Sequence, residues 1–169
     1  AGASMQLAAV ALDNADGANW CTSAARWATG DRGTPGAAGN CDAVEIQTLV
    51  ITEIMFDPEL TASERQGEWF EVANVGTEPA VLDGFSLRTR SQEHIVSELT
   101  VPGGERAVLA VDADPAVNGG VPVDYAYGED LAMYNTSGVV EIVTPDDISV
   151  DRVEYSAAAG FPLDKAHSI

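Results

Sequence analysis

The sequence predicts an all-β sandwich, and three observations lead to that prediction. From Leu49 onward, short runs rich in β-branched and aromatic residues alternate with polar turns. The chain has 16 Gly and 8 Pro scattered along its 169 residues, which is typical of proteins built from short strands and tight turns. Apolar residues make up 46% of the chain, enough for a core between two sheets.

The predicted strands follow one another from Leu49, and no segment there predicts an α-helix. They are LVITEIMF (49–56), EWFEVAN (68–74), AVLDGFSLRTR (80–90, with a bulge or bend at Gly84), two strands in EHIVSELTVPGGERAVLAVD (93–112) around a turn at Pro102–Gly104, and a hairpin in GVVEIVTPDDISVDRVEY (138–155) that turns at TPDD. Between the last two of these, ADPAVNGGVPVDYAYGEDL (113–131) is expected to be a long irregular loop.

The first 45 residues differ from the rest. SMQLAAVAL (4–12) fits a strand or a short helix, and a turn-rich stretch with Trp20 and Trp27 follows. Cys21 and Cys41 bracket that stretch, and no His lies between them, which disfavours a zinc site. We predict a disulfide between them, which implies an oxidising compartment and would contribute about 3 kcal/mol by loop closure. The alternative is two buried thiols in a cytosolic protein.

The charge balance excludes some partners. The chain has 27 acidic and 8 basic residues, and its net charge is −19. Such a surface repels nucleic acid and anionic lipid, so we expect no direct nucleic-acid contact. The charge fits a secreted protein, a salt-adapted one, or a protein that binds cations or basic partners. No apolar run approaches the length of a membrane span, so no membrane insertion is expected.

Four stretches of the chain occur in a distinctive order: LVITEIMFDP, GEWFEVANVGTEPAVLDGFSL, VPGGERAVLA and NTSGVVEIVTPDDISVDRVEY. In this order they resemble the lamin-tail domain, the immunoglobulin-like sandwich found in nuclear lamins and in many secreted bacterial proteins. The resemblance covers Leu49 to about Phe161. It implies an immunoglobulin-like fold of the lamin-tail type and a non-catalytic module, with no shared active site to carry over.

The N-terminal residues carry motifs with which bacterial members of this family end: GASMQL, GANW and GDRGTPGAAGN. Ser4–Met5 and Ser168–Ile169 occupy equivalent places, 164 residues apart. The resemblance thus implies one period of a tandem array, in which residues 1–45 resemble the end of a preceding repeat and residues 46–169 form the lamin-tail domain. We expect the strand at Ser4–Val10 to fill the slot of the missing closing strand, in its own chain or a neighbour's. The alternative is that residues 1–45 are an unrelated leader.

Two acids in predicted strands are candidates for a site. Alternation along EWFEVAN places Phe70 and Val72 on the face opposite Glu71, and Glu53 falls on the face of Ile51 and Met55. If the two strands are antiparallel neighbours, Glu53 and Glu71 lie close together and need a cation, a base or a proton. The functional interpretation is a calcium site or a patch for a basic partner. The structural one is a solvated Glu71 and a Glu53 paired with an arginine such as Arg88 or Arg106.

Asp13 and Asp16 in DNADGAN are further candidate calcium ligands, although the stretch lacks the alternating oxygen ligands and the acid at its twelfth position. Asx–Gly clusters of this kind usually form turns. Motifs of enzymes are missing: the two histidines are His94 and His167, and there is no G-x-S-x-G, H-E-x-x-H or phosphate-binding glycine loop.

The sequence therefore predicts a non-catalytic, secreted or cell-surface module that acts in adhesion, targeting or spacing within a larger protein. Its partner would be another protein, a cell-surface component or neighbouring repeats, and no cofactor is expected apart from the calcium considered above. The alternative is an accessory domain of a secreted nuclease or phosphoesterase, since bacterial lamin-tail domains occur beside such enzymes.

Overall fold

The structure is a computed structural model, and it describes residues 3–7, 13–16, 20–23, 26–27, 31–36, 48–59 and 63–169. These residues form strands, turns and short 3-10 helices, and none of them belongs to an α-helix. The all-β prediction is therefore confirmed. In this part of the chain no helix is long and apolar enough to cross a membrane. The chain divides into two compact units, Ala1–Glu45 and Ile46–Ile169.

The described residues of the first unit form two small antiparallel pairs. Strand β1 (Met5–Leu7) pairs with β2 (Trp20–Thr22), and β3 (Arg26–Trp27) pairs with β4 (Asp31–Arg32). Ser4 joins the pairs, because its N–H donates to the Arg32 carbonyl at 3.0 Å and its carbonyl accepts from Ser23 N–H at 2.9 Å. Met5–Leu7 is thus a strand rather than a helix, while residues 8–12 lie outside the described residues.

The second unit contains two four-stranded sheets. Its strands are β5 (Leu49–Met55), β6 (Trp69–Asn74), β7 (Ala80–Val81), β8 (Ser86–Arg88), β9 (Glu93–Ile95), β10 (Thr100–Val101), β11 (Arg106–Ala110), β12 (Tyr125–Ala126), β13 (Ser137–Val143) and β14 (Ser149–Ser156). Sheet one has the order β12-β11-β6-β5, and sheet two has the order β14-β13-β8-β9. Among the described residues of this unit, the strand pairs are antiparallel except for β11 with β12, and β7 pairs separately with β10.

Apolar side chains from both sheets form one hydrophobic cluster, which gives the unit a β-sandwich-like character. The cluster contains the buried side chains of Ile54, Phe70, Val72 and Val140. Phe56, directly after β5, stacks on Tyr155 of β14 with ring centroids 5.2 Å apart. The cluster follows from the alternation of the strands, which sends every second side chain to the same face.

The prediction of one strand over residues 80–90 is wrong, whereas the predicted bend at Gly84 is confirmed by the bond from Phe85 N–H to the Leu82 carbonyl, 2.9 Å long. The segment forms two short strands in different sheets, because β7 pairs with β10 and β8 with β9 and β13. Gly84 has a φ of 78°, a left-handed conformation that redirects the chain. Leu82 and Phe85 are buried on either side of that turn and hold it against the core.

Residues 93–112 contain three strands, β9, β10 and β11, where two were predicted. The turn at Pro102–Gly104 is confirmed by the bond from Glu105 N–H to the Pro102 carbonyl, 3.1 Å long. The expected irregular loop at 113–131 is partly regular, since it contains β12 and a 3-10 helix at Gly128–Asp130. The predicted turn at TPDD is confirmed by the bond from Asp147 N–H to the Thr144 carbonyl, 2.9 Å long.

The last described residues run along the outer edge of β5. Ile54 and Ile169 exchange two backbone hydrogen bonds of 2.8 and 3.0 Å, and Ala166 N–H donates to the Asp57 carbonyl at 2.8 Å. Farther along the same edge, the Asp151 carboxylate of β14 accepts the Ile51 N–H at 2.7 Å. Part of this edge is thus covered by backbone and part by a side chain, which limits strand addition by other chains.

Candidate functional site

Glu53 and Glu71 are neighbours, as the sequence predicts for antiparallel strands. Their Cα atoms face each other in the register of β5 and β6, next to a bulge between Ile51 and Glu53. Each carboxylate has a polar partner of its own. Glu71 accepts from Arg106 at 2.5 Å and from the Thr52 hydroxyl at 2.6 Å, and Glu53 accepts from the Ser168 hydroxyl.

These contacts correct the expected pairing of the two acids. Arg106 binds Glu71 and not Glu53, because β11 and β5 lie on opposite sides of β6 and place Arg106 and Glu53 apart. Glu71 is not freely solvated, since its side chain is only 16% exposed. Arg88 binds Glu93 at 2.8 Å and Asp147 at 2.6 Å, so it does not serve Glu53 either.

Asp13 and Asp16 lie in a turn of the first unit. The Asp13 carboxylate accepts from Ala15 N–H at 2.9 Å, the arrangement of an Asx turn. Gly17–Asn19, which complete the predicted ligand stretch, lie outside the described residues, and so does Cys41. The disulfide between Cys21 and Cys41 therefore stays a prediction. Among the residues that the structure describes, no three His, Cys, Asp or Glu side chains come together in a way that could hold a metal ion.

A row of alternating charges crosses sheet two. Glu93, Arg88, Glu141 and Arg152 are successive partners in the register of β9, β8, β13 and β14. Opposite charges on neighbouring strands support each other, although exposed pairs contribute little, about 0.2–1 kcal/mol each. The Arg88 guanidinium beside Glu93 lowers the pKa of that carboxyl. The ion pairs of this row are Arg88 with Glu93 and with Asp147, and Arg152 with Glu154, and they support the sheet.

Glu68 is the acid with the most perturbed environment. It lies just before β6 on the face of Phe70 and Val72, and it is only 5% exposed. Its carboxylate accepts from Met133 N–H at 2.9 Å. Burial raises the pKa of Glu68 to about 7, while the bond from Met133 and the nearby Arg65 charge act in the opposite direction.

His94 connects the two sheets. From β9 of sheet two, its Nδ1 lies 2.7 Å from a carboxylate oxygen of Asp130, and its Nε2 lies 2.8 Å from the Tyr125 hydroxyl of sheet one. The same hydroxyl accepts from Ser97 N–H at 3.2 Å. The His94 side chain is 14% exposed and packs edge-on against the Tyr125 ring. A histidine between a carboxylate and a hydroxyl has the partners needed to relay a proton. Here the Tyr125 contact also joins sheet two to sheet one, and the Asp130 contact joins sheet two to the 3-10 helix at Gly128–Asp130.

Asp130 and Met133 belong to the stretch that leads from sheet one to sheet two, residues 125–136, here called the crossover segment. Arg65 also holds this segment, through bonds from its guanidinium to the carbonyls of Glu129 and Leu131, the latter at 3.2 Å. The Tyr155 hydroxyl donates to the Tyr134 carbonyl at 2.9 Å. Several polar side chains thus converge on one connection.

The sequence pattern does not single out Glu68, although alternation along EWFEVAN places its side chain on the same face as Phe70 and Val72. The pairing of His94 with Asp130 could not be predicted from a local pattern, because 36 residues separate them. A comparison of the chain with protein-family models and with curated proteins finds no match.

Proposed function

We propose that this chain is a non-catalytic binding or spacing module of a secreted or cell-surface protein, with an immunoglobulin-like sandwich of the lamin-tail type. The resemblance of its strand motifs to that family and its strongly acidic surface support the proposal. Adhesion, targeting and the spacing of neighbouring repeats are the roles that such a module serves, and each needs a stable scaffold with exposed loops.

The observation that carries the proposal is the use of the reactive side chains in holding the fold. Both ring nitrogens of His94 have partners: Tyr125 ties sheet two to sheet one, and Asp130 ties sheet two to the crossover segment. Glu68 is buried against a backbone N–H, and Glu71 is paired with Arg106. Contacts of this kind support a structural role for these three side chains.

Two loops of the second unit are held in one conformation by buried asparagine side chains. The Asn118 amide donates to the carbonyls of Asp112 and Val121, and its oxygen accepts from Gly120 and Val121 N–H. Asn74 holds the turn after β6 in a similar way, through Gly76 N–H and the Glu78 carbonyl. Loops that are already ordered lose less entropy when a partner binds.

The charge indicates the kind of partner. With a net charge of −19, the chain attracts basic protein surfaces and repels acidic ones. We expect the chain to bind a lysine-rich peptide, with an affinity that falls steadily as salt is added. We expect no binding to a glutamate-rich peptide of equal length. Equal binding to both peptides would contradict the proposed partner class.

The non-catalytic part is tested with chromogenic phosphomonoester, phosphodiester, carboxylic ester and glycoside substrates, each with and without calcium, magnesium and zinc. Wild type and His94→Gln are compared at equal concentration, with Glu129→Gln as an exposed control. We expect the same background rate for all three proteins. Turnover by the wild type that disappears in His94→Gln would refute the proposal.

A further inference from the structure

The strand pair β1–β2 of the first unit presents an exposed face with two large apolar side chains. Met5 lies directly opposite Thr22 in the antiparallel register, and Trp20 lies two residues before Thr22 on the same strand. Directly paired residues and every second residue along a strand share a face. Met5 is 75% exposed, Trp20 is 40% exposed, and Thr22 is exposed as well. These three residues are here called the tryptophan face.

The indole ring of Trp20 is held in place although it is exposed. Its Nε1 donates to the Asn14 carbonyl at 3.0 Å. Asn14 belongs to a turn in which the Asp13 carboxylate accepts the Ala15 N–H at 2.9 Å and the Asp13 carbonyl accepts the Asp16 N–H at 3.4 Å. The bond from Nε1 lies in the plane of the ring and therefore occupies neither of its faces. A ring that is already oriented loses less entropy when a ligand stacks on it.

The same turn supplies negative charge beside the ring. Asp13 and Asp16 are both exposed, and they lie on either side of Asn14, whose carbonyl holds the indole. Residues 1–25 contain no Lys, Arg or His, so the stretch that carries the ring and both carboxylates is acidic. The whole chain has a net charge of −19, which attracts a cationic ligand at longer range.

A tryptophan ring beside carboxylates has the chemistry that recognises a cationic side chain. Tryptophan is the aromatic residue that binds cations best through its π-face. Lysine and arginine also carry long apolar stems, which pack on apolar surface while the charged group stays in water. Met5 offers a flexible, polarisable side chain that adapts to such stems. The tryptophan face thus combines an oriented ring, an adaptable apolar neighbour and negative charge.

We propose that the tryptophan face is a docking site for a basic segment of a partner protein, in which a lysine or arginine side chain lies on the indole of Trp20 next to the turn of Asp13 and Asp16. The inference rests on the proposed function, because it assigns the binding of basic partners to one surface. A second copy of the chain and an anionic membrane are repelled by the charge of this protein.

Trp69 of β6 is a poorer platform for a cation. Its side chain is half-buried. Glu71, two residues along the same face, is paired with Arg106 at 2.5 Å. The Arg106 side chain is 61% exposed, so its guanidinium repels a basic ligand from that face.

Calorimetric titration of the full chain at low salt tests the site. The ligands are a lysine-rich peptide and the same peptide acetylated on every lysine, and the proteins are wild type, Trp20→Leu and Trp20→Phe. Tyr134→Leu makes the matched aromatic-to-aliphatic change at a residue of the second unit that is 50% exposed. We expect the affinity for the lysine-rich peptide to fall at least about fivefold in Trp20→Leu, less in Trp20→Phe, and not in Tyr134→Leu. The acetylated peptide should not bind.

Nuclear magnetic resonance of the wild type gives a result that does not depend on the folding of a variant. Saturation with the lysine-rich peptide should shift the ring protons of Trp20 more than those of Trp27 and Trp69. Larger shifts at either of the other two rings would overturn the proposal.

The outcomes separate this inference from the proposed function. No binding of the lysine-rich peptide to wild type would contradict the proposed partner class and the docking site together. Binding of equal strength to wild type and Trp20→Leu would overturn the docking site alone. Equal binding of the acetylated peptide would show an apolar surface without cation recognition, and self-association that Trp20→Leu abolishes would assign the face to a second copy. Either result would overturn the proposal.

Discussion

Replacement of Gly138 by alanine is the sharpest test of the packing. Gly138 lies on β13 opposite Tyr155 of β14. A Cβ atom at this position would lie 2.7 Å from Cε1 of the Tyr155 ring and closer still to its Cζ and hydroxyl oxygen. The ring cannot move aside easily, because it is fully buried, stacks on Phe56 and donates its hydroxyl to the Tyr134 carbonyl.

The expected cost combines two effects. Overpacking of a close-packed core costs about 1–3 kcal/mol. Displacement of the tyrosine hydroxyl from its acceptor adds about 1 kcal/mol. We therefore expect Gly138→Ala to lower the free energy of unfolding by about 3 kcal/mol, measured by urea unfolding at 25 °C with circular dichroism.

A double-mutant cycle identifies the cause. Tyr155→Leu removes the ring end that the new methyl group meets, so Gly138→Ala should cost at least about 1.5 kcal/mol less in that background. Gly160→Ala serves as a control, because its Cβ meets no atom within 4 Å and its φ of 87° leaves a conformational cost of about 1 kcal/mol. Additive effects of Gly138→Ala and Tyr155→Leu would refute this account of the packing.

Three further experiments test separate parts of the protein. Between pH 5 and 8 the free energy of unfolding of the wild type should fall by about 2–3 kcal/mol, because the raised pKa of Glu68, about 7, makes the folded state bind more protons than the unfolded state. Glu68→Gln should abolish this fall. Parallel pH profiles of the two proteins would contradict the prediction. Asn118→Ala should lower the free energy of unfolding by about 2 kcal/mol and speed exchange of the Gly120 and Val121 amides, and unchanged exchange would show that the amide does not hold the loop. Non-reducing peptide mapping should recover Cys21 linked to Cys41, and alkylation of both thiols without prior reduction would exclude that disulfide.

The sequence allowed the local features of the fold to be predicted. Alternation in EWFEVAN placed Phe70 and Val72 in the core, and the turn at TPDD follows from residues that favour turns. The antiparallel approach of Glu53 and Glu71 could be expected because their strands are consecutive along the chain.

Features that depend on distant contacts could not be predicted. The separation of β7 from β8 requires that each find a partner in a different sheet, and the local pattern of residues 80–90 is equally compatible with one strand. The pairs Glu68–Met133 and His94–Asp130 join residues 65 and 36 positions apart, and no local pattern records them. The assignment of Arg106 to Glu71 likewise depends on strand order, which the sequence does not contain explicitly.

The central claim is that two β-sheets enclose one core, with the reactive side chains used to hold them together. The contact between the rings of Phe56 and Tyr155 tests it most directly, since the first follows a strand of sheet one and the second lies in sheet two, with centroids 5.2 Å apart. A nuclear Overhauser spectrum of the selectively labelled aromatic rings should show strong cross-peaks between these two residues. Their absence from a folded sample would contradict the arrangement of the two layers.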